Sequence, residues 1–186
     1  MIQLIRHNLL LVGLLLLGLA LVLAPKADGA AALAQTMLTP SGVVTRISIP
    51  TIRVDSKVVE VQREERDGAV EWQVADYAVG HHAGSGEPGG GSNVVISGHN
   101  NIRGEVFRRL DELRKGDLIT LEYSHGERFY KVTEVRIVLQ DGAADQARMR
   151  NARYMAPTPD EQLTLISCWP YRPWPPYRII VIALPV

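Results

Sequence analysis

A lone thiol and a fixed cation frame one stretch of this sequence. Residues 163–184 read LTLISCWPYRPWPPYRIIVIAL. The β-prone run 163–167 ends on Cys168, the only cysteine in the chain. Pro170, Pro173, Pro175 and Pro176 stiffen the loop that follows, because each proline fixes φ and lowers the entropy lost on ordering. Arg178 then stands at the mouth of a second apolar run, 179–184, and its guanidinium stays charged at any ordinary pH. This order of strand, thiol, stiff loop, guanidinium and strand can hold a reactive sulfur beside a positive charge. An inert packed cysteine and a surface arginine would leave the same local sequence.

A thiolate rather than a thiol attacks a carbonyl, so a second group must take the proton, and histidine is the usual one. Five histidines are available. His7 flanks the N-terminal apolar run, and His125 falls in a Ser-His-Gly turn where water solvates it. His81 and His82 are adjacent, so on a strand they face opposite ways and do not share a metal. His99 follows the run NVVIS and Gly98, at a strand end where backbone can approach a site closely. It is the candidate general acid/base, against the alternative of a structural hydrogen-bonding histidine. The third requirement is a donor for the developing oxyanion, and one such donor is worth roughly 3 kcal/mol. Arg178 opens a strand and has a fixed direction, so it is preferred to Arg172 inside the loop. No acidic residue stands out as a partner for His99.

The elements that must position these groups read mostly as strands. Candidate strands cover 43–49, 54–61 (interrupted at Asp55-Ser56), 93–97, 118–123, 128–139, 163–168 and 179–184, with turn signals between them. Residues 62–68 are charged and read as a turn or loop. Residues 70–79 read as mixed, in part a short helix or irregular. Val106, Phe107, Leu110 and Leu113 fall at the spacing of one helical segment. The run GSGEPGGG at 84–91 has no Lys-Ser/Thr after it, which argues against a phosphate cradle. Residues 141–161 form a long connector of the kind that is usually functional. About eight short strands without a βαβ rhythm indicate a mainly-β barrel with one or two short helices.

The 186 residues suit one domain with appendages. Lysine plus arginine and aspartate plus glutamate both number 20, which gives no support to nucleic-acid binding. One cysteine makes neither an internal disulfide nor a cysteine-cluster zinc site. Residues 9–24 carry no charge and would span roughly 24 Å as a helix, somewhat under a bilayer core unless Arg6 and Lys26 snorkel. Arg6 places the N-terminus inside and the remainder outside the cytoplasm. An Ala32-Leu33-Ala34 cleavage site is the rival reading. The resulting division is a cytoplasmic 1–8, a transmembrane anchor 9–24, a linker 25–40 and a folded domain 41–186.

Taken together, NVVISGHN (93–100), LTLISCWP (163–170) and YRIIVIAL (177–184), with RISIPTIRV (46–54) and LRKGDLITLEY (113–123), resemble the sortases over 43–186. The resemblance implies an eight-stranded β-barrel behind an N-terminal membrane anchor. It implies a cysteine transpeptidase that cleaves a C-terminal sorting motif of an exported protein and passes the acyl group to an amine. Cys168 would be the nucleophile, carrying the thioester. His99 would be the general acid/base, and Arg178 would steady substrate and oxyanion. Thiol and imidazole would titrate as a coupled pair. The family's usual threonine before the cysteine is Ser167 here, which keeps the hydroxyl. By the same resemblance the loops 141–161 and 169–176 flank the thiol, and Trp169, Tyr171 and Trp174 either line an apolar groove or pack the loop. Some sortases bind calcium, but Glu87 alone in the glycine loop gives no metal site, and no cofactor is expected. The alternatives are an anchored peptidase that hydrolyses its acyl-enzyme, and a non-catalytic extracytoplasmic barrel that only binds.

Overall fold

A computed structural model describes residues 42–66 and 68–186. The expected anchor and linker lie outside these residues. Among the described residues, no helix is long and apolar enough to cross a membrane.

Ten strands are present among the described residues: β1 (Val44–Ile49), β2 (Val54–Val61), β3 (Arg63–Arg66), β4 (Ala69–Trp72), β5 (Val79–His82), β6 (Asn93–Gly98), β7 (Leu118–Tyr123), β8 (Gly126–Leu139), β9 (Gln162–Trp169) and β10 (Tyr177–Pro185). Eight of them close a barrel in the order β1-β2-β5-β6-β9-β10-β8-β7, and β7 returns to pair with β1. Most neighbours are antiparallel, while β2–β5 and β6–β9 are parallel. Closure removes the unpaired edges that an open sheet of these β-branched runs would expose.

Alternation decides which side chains fill the barrel. On β9, Leu163 and Leu165 are fully buried in the core, as are Val94 and Ile96 on β6 and Val181 on β10. Each such side chain contributes about 1.5–3 kcal/mol relative to exposure. The intervening residues Ser97, Ile166, Cys168 and Arg178 therefore belong to the outer face. Tyr130 and Phe107 are also fully buried within the core.

Several local expectations are corrected. The charged segment 62–68 is not a plain loop: β3 pairs with β4 from Arg63↔Trp72 to Arg66↔Ala69, a hairpin outside the barrel. Its charges suit a solvated ribbon with no core face, which is why alternation does not reveal it. For residues 70–79 the irregular reading holds over the helical one: β4 ends at Trp72, and an irregular loop leads to β5. The stretch 106–113 is a series of turns with a 3-10 turn at Leu110–Glu112. Phe107, Leu110 and Leu113 are buried without a regular helix beneath them. The Asp55-Ser56 interruption is absent, since β2 runs through with Asp55 exposed and Ser56 buried. The connector 141–161 carries the one α-helix among the described residues, α1 (Asp145–Ala152), which has no buried residue and continues into a 3-10 turn.

Candidate functional site

The ladder itself brings the thiol to the guanidinium. β9 and β10 are antiparallel, and Cys168 stands directly opposite Arg178. Opposed residues share a face, with Cβ atoms about 4.5–5.5 Å apart. On the other side of β9, β6 runs parallel with Ser97 opposite Ile166. One more alternation carries His99, just past the end of β6, to the same outer face beside Cys168. The three strands β6, β9 and β10 thus deliver imidazole, sulfur and guanidinium to one place from residues far apart in sequence.

A cavity of about 450 Å³ lies over that place, lined by His99, Cys168 and Arg178 together. Ser97 and Ile166 contribute from the strands, and its remaining walls include Val74, Ile102 and residues 173–175. The walls are largely apolar, as suits a site that must hold peptide and limit water. Among the described residues, no group of three or more His, Cys, Asp or Glu side chains could hold a metal ion.

The segment around His99 is held from several sides. Ser167 Oγ donates to the Gly98 carbonyl at 2.8 Å, so the serine hydroxyl beside the nucleophile ties β9 to β6. Asn100 Nδ2 donates to the Cys168 carbonyl at 2.7 Å. The Phe107 amide donates to the His99 carbonyl at 2.9 Å. Gly98 is required sterically: a Cβ there would stand 2.9 Å from Phe107 and 3.1 Å from Val79, both fully buried. Asn101 Nδ2 also donates to the Arg172 carbonyl, and Tyr171 Oη donates to Glu105 at 2.9 Å beneath the Arg108 guanidinium. The proline-rich loop is thereby docked on the histidine loop.

The imidazole is mostly buried, and its Nε2 lies 3.6 Å from Asp76 Oδ1. Burial pushes the His99 pKa down; Asp76 raises it and Arg103 lowers it, with a net depression. Asp76 was not legible in the sequence. It sits in the irregular loop after β4, and the only local signal was a carboxylate in an otherwise apolar stretch.

Arg178 is half-buried and donates to the carbonyls of Pro175 at 3.3 Å and Tyr177 at 3.1 Å, with Asp141 at 3.9 Å. Arg172 does not line the cavity, whereas Arg178 does. Of the three loop aromatics only Trp174 reaches the cavity wall, and it is 92% exposed. Trp169 packs against the core and edge-on to Tyr177, and Tyr171 is spent on Glu105 and Arg108. Of the two expected flanking loops, 169–176 supplies a wall and 141–161 supplies none. His81 and His82 face opposite sides of β5. His81 bonds the glycine loop through Gly86 and Ser85, and His82 Nε2 meets Ser97 Oγ at 2.8 Å while stacking on Trp72. His125 is exposed in the β7–β8 turn.

A profile of the sortase domain family matches residues 47–186. Sortase D of Bacillus subtilis (strain 168) is 30% identical over 125 residues, which is 67% of this chain and 54% of that protein. The chain thus spans about half the length of that relative. Among solved structures, a lid mutant of sortase A from Corynebacterium diphtheriae matches with a TM-score of 0.59 at 26% identity, covering 88% of this chain and 82% of that one. A Clostridium perfringens sortase D5 transpeptidase matches with a TM-score of 0.58 over 85% and 89% of the two chains. Its identity is 20%, so that likeness concerns the fold alone.

Proposed function

The chain belongs to the sortase family, and from that premise we propose that it is a cysteine transpeptidase acting on exported proteins that carry a C-terminal sorting peptide. The observation that carries the proposal is the opening of His99, Cys168 and Arg178 onto one largely apolar cavity. In this reading His99 takes the Cys168 proton, and the thiolate sulfur attacks the scissile carbonyl carbon. Arg178 steadies the oxyanion. The carbon–nitrogen bond then breaks, and His99 returns the proton to the leaving amine, which leaves a thioester on Cys168. An acceptor amine attacks that carbonyl and gives a proton to His99. The new amide forms as the carbon–sulfur bond breaks, restoring the thiolate. Trp174 is the loop aromatic best placed to touch the peptide. The acceptor is an amine of the cell envelope or of a pilus subunit. Residues 9–24 form a single-pass anchor with the N-terminus in the cytoplasm and the barrel outside it.

The test is a peptide-library cleavage assay with an added amine, read by mass spectrometry. We expect an acyl adduct on Cys168, an amine-capped product, and loss of turnover in Cys168→Ala and His99→Ala. Full activity in Cys168→Ala would refute the mechanism. A product that ignores the amine would reassign the chain as a peptidase that uses water.

A further inference from the structure

We propose that Asp76 is a positioning residue for His99, its carboxylate holding the Nε2 side of the imidazole so that Nδ1 is presented to Cys168. This rests on the reading of His99 as the general acid/base. Two loops are built to make the contact. The Tyr77 amide donates to the Arg103 carbonyl at 2.8 Å, joining the loop after β4 to the loop after β6. Gly104 lies against it with φ +97°, and a Cβ there would stand 2.8 Å from Tyr77 Cα. Arg103 Nη1 reaches both Asp76 oxygens, at 3.0 and 3.3 Å. The carboxylate is therefore oriented by Arg103 before it meets the imidazole.

At 3.6 Å the Asp76–His99 contact is just beyond hydrogen-bond length, and His99 Nε2 has no hydrogen-bond partner among the described residues. A mostly buried ring nitrogen left in this way is costly once it carries a proton. The nearest anionic group is Asp76, and contacts of this kind tighten when charge develops. The charged and titratable groups around the ring are Asp76 on the loop after β4, Arg103 on its own loop, Cys168 on β9 and Arg178 on β10. Asp76 is the one carboxylate among them. It favours the imidazolium formed when the thiol gives up its proton, and Arg103 opposes it.

The two neighbours must therefore act with opposite signs, which a purely structural role would not produce. The test follows the His99 ring by NMR in the full chain, labelled with 13C-histidine, in detergent micelles and in a Cys168→Ala background. We expect Asp76→Asn to lower the His99 pKa by about one unit, a tenfold change in the imidazolium-to-imidazole ratio at fixed pH. Arg103→Gln should raise it, and Asp76→Glu should hold it near the parent value. An unchanged or raised value in Asp76→Asn overturns the proposal. If that variant does not fold, a fall rather than a rise in Arg103→Gln overturns it. A parallel arm follows alkylation of Cys168 by iodoacetamide against pH. A profile unaltered by His99→Gln would sink the pairing of thiol and imidazole itself, and the NMR arm would still judge Asp76.

Discussion

Glu161 offers a perturbation whose size can be worked out from its neighbours. Its side chain is 8% exposed and immediately precedes β9. It accepts from Arg128 Nε at 3.1 Å and Nη2 at 2.8 Å, from Tyr130 Oη at 2.7 Å and from the Gly89 amide at 3.1 Å. Four donors thus converge on one carboxylate and pin the glycine loop to the barrel. Breaking a buried pair costs about 3–5 kcal/mol. In Glu161→Gln the amide oxygen still accepts from Tyr130 and Gly89, and Arg128 is 32% exposed, so the expected loss is about 2 kcal/mol. For a domain of this size that lowers Tm by roughly 8 °C. Burial pushes the Glu161 pKa up, but the bonds from Arg128, Tyr130 and Gly89 outweigh it and hold the carboxyl below its ordinary value. The stabilisation is then fully present above the unfolded carboxyl pKa of about 4.3 and is lost as pH falls through the lower folded value. Melting curves by circular dichroism should show a constant gap between the two proteins from pH 7 down to about pH 5, narrowing below about 4.3. Seven residues of strand at about 3.3 Å each put Glu161 roughly 23 Å from Cys168, so turnover per folded molecule at 20 °C should not change. Equal stability at pH 7, or a gap that ignores pH, would refute the reasoning.

Gly98→Ala should destabilise the chain by about 1–3 kcal/mol, since its Cβ meets Phe107 and Val79 where neither has room to move. Calorimetry reads the loss, and kcat/KM should fall with it because Phe107 also holds the His99 carbonyl. Burial, then the nearby His81 and Arg63 charges, push His82 down to about 4. A histidine kept neutral in the fold costs stability as pH drops from its unfolded value of about 6.5 to its folded one, roughly 3 kcal/mol in all. Denaturant titrations across that range should show this decline, and His82→Gln should flatten it.

Seven of the eight barrel strands were legible, because alternating or β-branched runs marked β1, β2, β6, β7, β8, β9 and β10 within a residue or two; β5 was missed, because its four buried residues, Val79 to His82, form neither kind of run. The β3–β4 hairpin was not legible either, because β3 is entirely charged and β4 offers only an exposed Val70 and a Trp72 that packs on His82 rather than in the barrel core. The 106–113 segment misled for the opposite reason: Phe107, Leu110 and Leu113 have helical spacing, yet the turns bury them with only one 3-10 turn. In the site, Cys168 and Arg178 could be paired by eye across a proline loop, since adjacent antiparallel strands leave few registers. Asp76 could not, because its approach to His99 depends on how two irregular loops dock. The roles of Tyr171 and Trp169 were equally hidden, as nothing in their local sequence names Arg108, Glu105 or Tyr177 as neighbours.

Cys168 and Arg178 are opposed on one hydrogen-bonded ladder, whereas His99 stands just beyond the end of its strand. Sulfur and guanidinium therefore move as a single body with the sheet. The imidazole stands outside that ladder, on a segment tied to β9 by Ser167 and Asn100 and gripped as well by the loops that carry Asp76 and Arg103. Substitutions in those loops can shift the pH range of the chemistry while the nucleophile keeps its seat.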